Sequence, residues 1–114
     1  MATPLQEAKS ELFRALAHPT RIRLLEQLAA GERTVQDLHQ ALHVGQPLVS
    51  QHLAALRARR VVVVRREGAQ AYYALRSPLV ADLLKVAREL LTNTLSDQRS
   101  MLRELQRERR RAAL

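Results

Sequence analysis

Cysteine is absent from all 114 residues, which excludes disulfides, thiolate metal sites and cysteine nucleophiles together. Aromatic residues are scarce: Phe13, Tyr72 and Tyr73 are all there are. A core must therefore come from Leu, Val, Ala and Ile, and the abundance of Leu and Ala favours helix. No apolar run approaches the roughly 20 residues of a membrane span, and the N-terminus lacks a signal-peptide pattern. The expectation is a soluble cytoplasmic protein with no membrane partner. Its length suits one domain with a modest core.

Acidic residues are also missing where they would matter. Residues 1–56 carry five basic and five acidic side chains, whereas residues 57–114 carry fourteen and six, the whole of the net charge of +8. Arg57, Arg59, Arg60, Arg65, Arg66 and Arg76 fall within twenty residues, opposed there only by Glu67. A run of charge is usually a solvated face, and Arg109, Arg110 and Arg111 fit that description. The 57–76 cluster differs because of what precedes it.

That preceding stretch is Thr34–Leu56. Val35, Leu38, Ala41 and Leu42 recur at helical spacing, with Thr34 as N-cap and Asp37 in the capping-box position. A break at Val44-Gly45 follows. Pro47 then opens a second helix with Val49, Leu53 and Leu56 as its apolar stripe. Between those stand Gln46, Ser50, Gln51 and His52, hydrogen-bonding and uncharged. An ordinary helical hairpin with a wet outer face has this pattern. So does a helix-turn-helix, whose second helix enters a major groove where donors and acceptors carry sequence information. Arginines directly after such a helix are placed for the phosphates that flank the groove.

The rest of the chain supplies the frame. Thr3-Pro4-Leu5-Gln6 reads as a capped helix start, continued by Leu5, Ala8, Leu12, Phe13 and Leu16. Pro19 separates this helix from the next, with Ile22, Leu24, Leu25 and Leu28 on its apolar face. Val61–Val64 and Ala71–Leu75 predict two short strands around a turn at Glu67-Gly68. Ser77-Pro78 caps a final helix of some thirty residues, with leucines recurring every three to four. At ~1.5 Å per residue it would extend ~45–50 Å, too long to bury its stripe on so small a domain. A two-fold dimer is the economical cover, with Leu5, Leu12 and Leu16 of the first helix and Leu79, Leu83, Leu90 and Leu91 of the last as its seam. The expected division is a DNA-binding and dimerisation domain over 1–106 and a basic tail over 107–114. The fold class is mainly α with a small β-hairpin (α+β), a winged helix-turn-helix in the order ααααββα.

Three segments in this order resemble the ArsR/SmtB repressors of bacteria: Leu12–Leu25 (LFRALAHPTRIRLL), Val49–Leu56 (VSQHLAAL), and Arg65-Arg66-Glu67-Gly68 followed by Tyr72-Tyr73-Ala74-Leu75. The similarity covers about residues 12–92. It implies a homodimer joined through its first and last helices. It further implies binding to a double-stranded operator with an inverted repeat and repression until an inducer, most often a metal ion, releases the DNA. Two departures stand out. Many members have Gly-Leu-Val before the wing, where this chain has Arg60-Val61-Val62, so a turn of different shape is expected. The family's Cys-x-Cys sensor falls on Thr34 and Gln36, and its Asp-x-His and His-x-x-Glu sensor falls on Ser77, Leu79, Leu90 and Asn93. Neither position set can hold a metal in the usual way.

The residues thus point to a dimeric, sequence-specific repressor. Gln46, Ser50, Gln51 and His52 would face bases, and Arg57, Arg59, Arg65 and Arg66 would hold phosphates. No cofactor is expected. His39 and His43, four apart, are weak candidate ligands for nickel or zinc and read more simply as solvent-facing residues. His18 reads as a helix-junction residue. Ser50 and His52 have no acid or oxyanion hole beside them, so an enzyme is not expected. Two alternatives from other classes remain. One is a metal-sensing repressor with an atypical His/carboxylate site or a partner protein that supplies the sensing. The other is a protein-interaction module whose DNA binding is incidental.

Overall fold

Local capping sets the helix starts in a computed structural model that describes residues 1–113. Helix α1, Pro4–Leu16, begins with a reciprocal box in which Thr3 Oγ1 accepts from Gln6 N–H and Gln6 Oε1 accepts from Thr3 N–H. Helix α2, Pro19–Ala29, starts at the proline that cannot extend α1. Helix α3, Val35–Leu42, repeats the box with Thr34 and Asp37. Helix α4 spans Gln46–Ala58. Strands β1, Val62–Glu67, and β2, Gln70–Leu75, form an antiparallel hairpin in the register Val62↔Leu75 to Glu67↔Gln70. Helix α5 runs from Pro78 to Ala113, with Ser77 Oγ accepting from Leu79 N–H at its start. The order is the expected ααααββα.

Two compact units divide the chain, residues 1–81 and the rest of α5 from Asp82. In the first, Leu24, Leu25 and Leu28 of α2 meet Leu38 and Leu42 of α3 and Val49, Leu53 and Leu56 of α4. Ala15, Leu16, Val61 and Val62 complete that core. Burying one such leucine contributes roughly 1.5–3 kcal/mol. In the second unit Leu90, Leu91, Leu95, Leu102 and Leu105 are exposed, and Leu83 and Leu84 are half-buried. No described residue of α5 is buried, and the helix is continuous through 107–113, so no break in secondary structure marks the boundary expected at 106/107.

Several sequence expectations are corrected. On α1, Leu5 and Leu12 are exposed, as is Phe13, but Leu16, expected in the seam with them, is buried with Ala15 in the chain's own core. Ala41 is exposed too. The hairpin turn is Gly68-Ala69, and β1 carries Arg65 and Arg66 on the strand itself. Gly68 has φ +59°, as a two-residue hairpin loop with glycine in first place requires. A second strand-like pairing has no signal in the sequence pattern: Arg33 and Tyr73 exchange N–H···O bonds of 3.0 and 2.8 Å, tying the α2–α3 link to the wing.

The turn before the wing keeps the shape glycine would give it. Val61 N–H bonds to Leu56 O at 3.0 Å and Arg60 N–H to Arg57 O at 2.9 Å, the two bonds of a Schellman motif. Arg60 occupies its left-handed position with φ +59°. The substitution therefore adds backbone strain without changing the turn.

Candidate nucleic-acid interface

The break between α3 and α4 aims the second helix. Its left-handed residue is His43, φ +55°, and not Gly45, whose φ of −55° any residue can adopt. The His39 ring closes the turn by donating from Nδ1 to the Val44 carbonyl at 2.6 Å. Arg23 Nη2 caps the end of α3 through Leu42 O at 2.9 Å. The two histidines consequently serve the turn. His43 lies outside the helix, so the helical four-residue spacing expected of the pair does not apply, and His39 already spends one nitrogen. Among the described residues no three His, Asp or Glu side chains group as a metal site.

With Val49, Leu53 and Leu56 inward, α4 turns Gln46, Pro47, Ser50, Gln51, Ala54 and Arg57 outward. At 3.6 residues per turn these form one continuous stripe, polar at its start and cationic at its end. Gln46 Nε2 donates to Gln36 Oε1 of α3, which holds the first amide of the stripe in place. Sequence reasoning misses Gln36 because it sees that position only as a vacated metal ligand.

His52 is not on this stripe. It lies on the flank toward α1 and α2, half-buried, and its Nδ1 accepts from Arg21 Nε at 3.1 Å. The His18 ring stands 6.0 Å away. Burial, then the charge of Arg21 and His18, keeps the His52 pKa below its ordinary value. A neutral, tethered imidazole is a helix-positioning group more than a base reader.

The arginines divide in the same way. Arg59 pairs with Glu11 at 2.8 Å. Arg65 is held by Glu32 and Glu67, each at 2.6 Å, and its guanidinium lies 4.6 Å above the centre of the Tyr72 ring opposite it across the hairpin. The hydrogen bond to Glu32 first, then that to Glu67, raises the Arg65 pKa, and the same bond lowers that of Glu32. Arg57, Arg60 and Arg76 instead line an open groove of about 240 Å³ beside Val62–Val64, with no carboxylate among the described residues of its wall. Arg66, near the hairpin tip, has no ion pair among the described residues, nor do those three. Of the four arginines expected at phosphates, two are thus unopposed and two engaged. Arg60 and Arg76 join the unopposed set.

The expected dimer-seam residues separate similarly. Leu5, Leu12, Leu79, Leu90 and Leu91 are exposed and Leu83 is half-buried, but Leu16 belongs to the core of its own chain. No helix among the described residues is long and apolar enough to cross a membrane.

Known proteins share this arrangement. The model of bacterial regulatory proteins of the arsR family matches residues 18–63, from the start of α2 to β1. Rv0081, an HTH-type transcriptional regulator of Mycobacterium tuberculosis, is 41% identical over 103 residues, 90% of each chain. Its crystal structure superimposes with a TM-score of 0.79 over 85% of this chain and 98% of that one. The transcriptional repressor SmtB of the same organism is 51% identical over 69 residues, 60% of this chain and 51% of SmtB. The homodimeric winged helix-turn-helix DNA-binding domain Mb0332 of Mycobacterium bovis is 30% identical, with a TM-score of 0.75 over 82% of this chain and 86% of that domain. With its helix-turn-helix, wing and relatives in agreement, the chain belongs to the ArsR/SmtB family of winged helix-turn-helix transcriptional regulators, which are not enzymes.

Proposed function

We propose that the protein is a homodimeric, sequence-specific repressor of the cytoplasm that binds an inverted-repeat operator. The observation that carries this reading is the outward stripe of α4, with Gln46, Ser50 and Gln51 leading to Arg57 and the unopposed groove of Arg57, Arg60 and Arg76. Amide and hydroxyl groups suit base edges. Guanidinium groups at the end of the same helix suit the adjacent phosphates. Gln51 is the principal base reader in this scheme, and Arg66 reaches a phosphate from the wing. The exposed leucines of α1 and of α5 are each covered by a second copy, a role supported by the homodimeric Mycobacterium bovis domain. Residues 1–106 serve both tasks and 107–114 form a basic end.

Release does not run through the family's metal positions. Thr34 and Asp37 are spent on each other as a cap, and Gln36, Ser77, Leu79, Leu90 and Asn93 offer no adequate donor set for a tight site. No cofactor is required for folding or DNA binding, and the inducing signal is a non-metal ligand or a partner protein.

Footprinting on the DNA upstream of the protein's own gene, repeated across a salt series, tests the reading. A protected inverted repeat is expected, with log K falling against log salt with a slope of about −5 to −7 for roughly six to eight neutralised phosphates per dimer. A slope shallower than about −2 would remove the arginine groove from the interface. Stoichiometric zinc, cobalt, nickel or cadmium, compared with chelator, is expected to change operator affinity less than about tenfold. A larger loss, abolished by His39→Ala, would restore a metal sensor.

A further inference from the structure

On the flank of α4 opposite the Arg57 groove, Arg14, His18, Arg21 and Arg59 surround an open cavity of about 380 Å³. The carboxylate on its wall, Glu11, is already paired with Arg59, so two of the three guanidinium charges have no counter-ion among the described residues. The floor is Ala15, Ala55 and Ala58, methyl side chains that leave room a longer residue would fill. One cation is fixed in advance. Arg21 is half-buried, with Nη1 donating to Ala15 O at 3.1 Å and Nε to His52 Nδ1 at 3.1 Å. A guanidinium held in this way loses little freedom when its remaining N–H groups meet an oxyanion. Neither the outward stripe of α4 nor the Arg57, Arg60 and Arg76 groove shares a residue with this cleft.

We propose that the cleft binds a small organic dianion, a phosphate monoester or a dicarboxylate, and that its occupation weakens operator binding. The volume lies in the lower range for small-molecule pockets, and two negative charges match the two uncompensated cations. Two effects transmit binding to the DNA surface, and both have the same sign. A bound dianion cancels positive potential beside α4 that otherwise attracts the DNA backbone. It also pulls, through the remaining N–H groups, on Arg21, whose Nε tethers His52 one position from Gln51 on the reading helix. The regulatory half of this proposal rests on the operator-binding reading, whereas the binding half does not.

Inorganic phosphate and succinate, titrated into the isotope-labelled full chain at constant ionic strength, are the two probes. Saturable amide shifts centred on residues 11–21 and 52–59 are expected with at least one, and the one that saturates separates the phosphate from the dicarboxylate class. Arg14→Gln and Arg21→Gln should each weaken binding about tenfold, the loss of one charge-assisted hydrogen bond. Arg88→Gln on α5 should leave it unchanged. Thermal melts verify that the Arg21 variant folds, and Arg14 is exposed, so its variant tests the cleft independently. Shifts that never saturate, or that spread evenly over the arginines of the wing and α5, overturn the site. So does wild-type binding by both variants. At saturation the wild type should lose about tenfold in operator affinity. Saturable binding with unchanged operator affinity overturns the regulatory half alone. A protein that binds the probe but no operator instead sinks the DNA reading and leaves the cleft standing.

Discussion

Residues 1–81 and the helix beyond them use the same leucine-rich material to opposite ends. In the first unit Leu24, Leu25, Leu38, Leu53 and Leu56 are each 0% exposed. On α5 beyond Asp82, Leu90 is 66% and Leu91 63% exposed. Both sets repeat every three or four residues, so periodicity alone gives them equal standing. What separates them is supply of partners. Helices α2, α3 and α4 present their stripes to one another across short links, whereas a 36-residue helix of ~54 Å has more stripe than the chain has surface to cover it. The first unit thereby buries its stripes within one chain, whereas the stripe of α5 is left to the proposed second copy.

Substitutions that strike the two stripes should break differently. Leu53→Ala is expected to cost about 2–5 kcal/mol of unfolding free energy through transfer and cavity terms, at every protein concentration. Leu90→Asp should leave the helical circular dichroism of residues 1–81 almost intact and yield monomers that bind operator poorly. Light scattering with denaturant melts at several concentrations makes the distinction. A wild-type protein already monomeric at micromolar concentration would erase it.

Within the first unit, next in size, the two ends of the outward α4 stripe can be set against each other. Gln51→Ala should lose about 1–3 kcal/mol of specific binding per half-site with little change in non-specific binding. Arg57→Ala with Arg76→Ala should weaken all DNA binding and reduce the salt slope by about 0.9 for each phosphate no longer neutralised. Arg65→Ala should do less, because Glu32 and Glu67 already occupy that guanidinium and must be left behind before it meets a phosphate. Identical behaviour of the three variants in a salt-resolved binding assay would mean that base reading and phosphate holding are not divided as proposed.

What is legible in the sequence and what is hidden follow from distance along the chain. The Thr3–Gln6 and Thr34–Asp37 boxes close within three residues, so residue type at fixed spacing suffices. The core stripe of α4 is legible for the same reason. The Arg21–His52 tether spans 31 residues and the Arg65–Glu32 pair 33. No spacing rule reports which charged ends a fold brings together, and so spacing alone sends His52 to the groove and leaves Arg65 a free cation. Helix α1 misleads differently: Leu16 shares the period of the exposed Leu5 and Leu12, which sends it to the seam, yet it enters the core of its own chain. Glycine also draws attention to the wrong residue of the helix-turn-helix, since the left-handed position is taken by His43.

A smaller effect is expected at the other left-handed residue. Arg60 bears a Cβ at φ +59°, a conformation that costs an L-residue roughly 1–2 kcal/mol. Glycine returns part of this through its greater unfolded entropy. Arg60→Gly should therefore stabilise the first unit by about 0.5–1 kcal/mol, seen as a higher denaturant midpoint at unchanged slope. The same change removes a cation from the Arg57 groove and should weaken DNA binding. Gly45→Ala, at an ordinary φ with only Pro47 Cδ at 3.9 Å from the new Cβ, should do neither.

The least of the expected effects concerns protons at His52. Its folded pKa lies below the ordinary 6.5 because burial and the Arg21 and His18 charges disfavour the imidazolium. Between the folded and unfolded values the unfolded chain binds more protons, so stability rises with pH there. The contribution is therefore fully present above about pH 6.5 and is lost as pH falls through the folded value. Protonation also removes the acceptor that Arg21 uses, so stability and the setting of α4 weaken together. Denaturant midpoints measured between about pH 7.5 and 5.5 should fall on acidification, and His52→Gln should flatten part of that fall. Every other group is common to the two proteins, which makes the difference between the two curves the quantity to read. If the curves run parallel, Arg21 does not depend on a neutral His52, and the link between the cleft and the reading helix loses its tether.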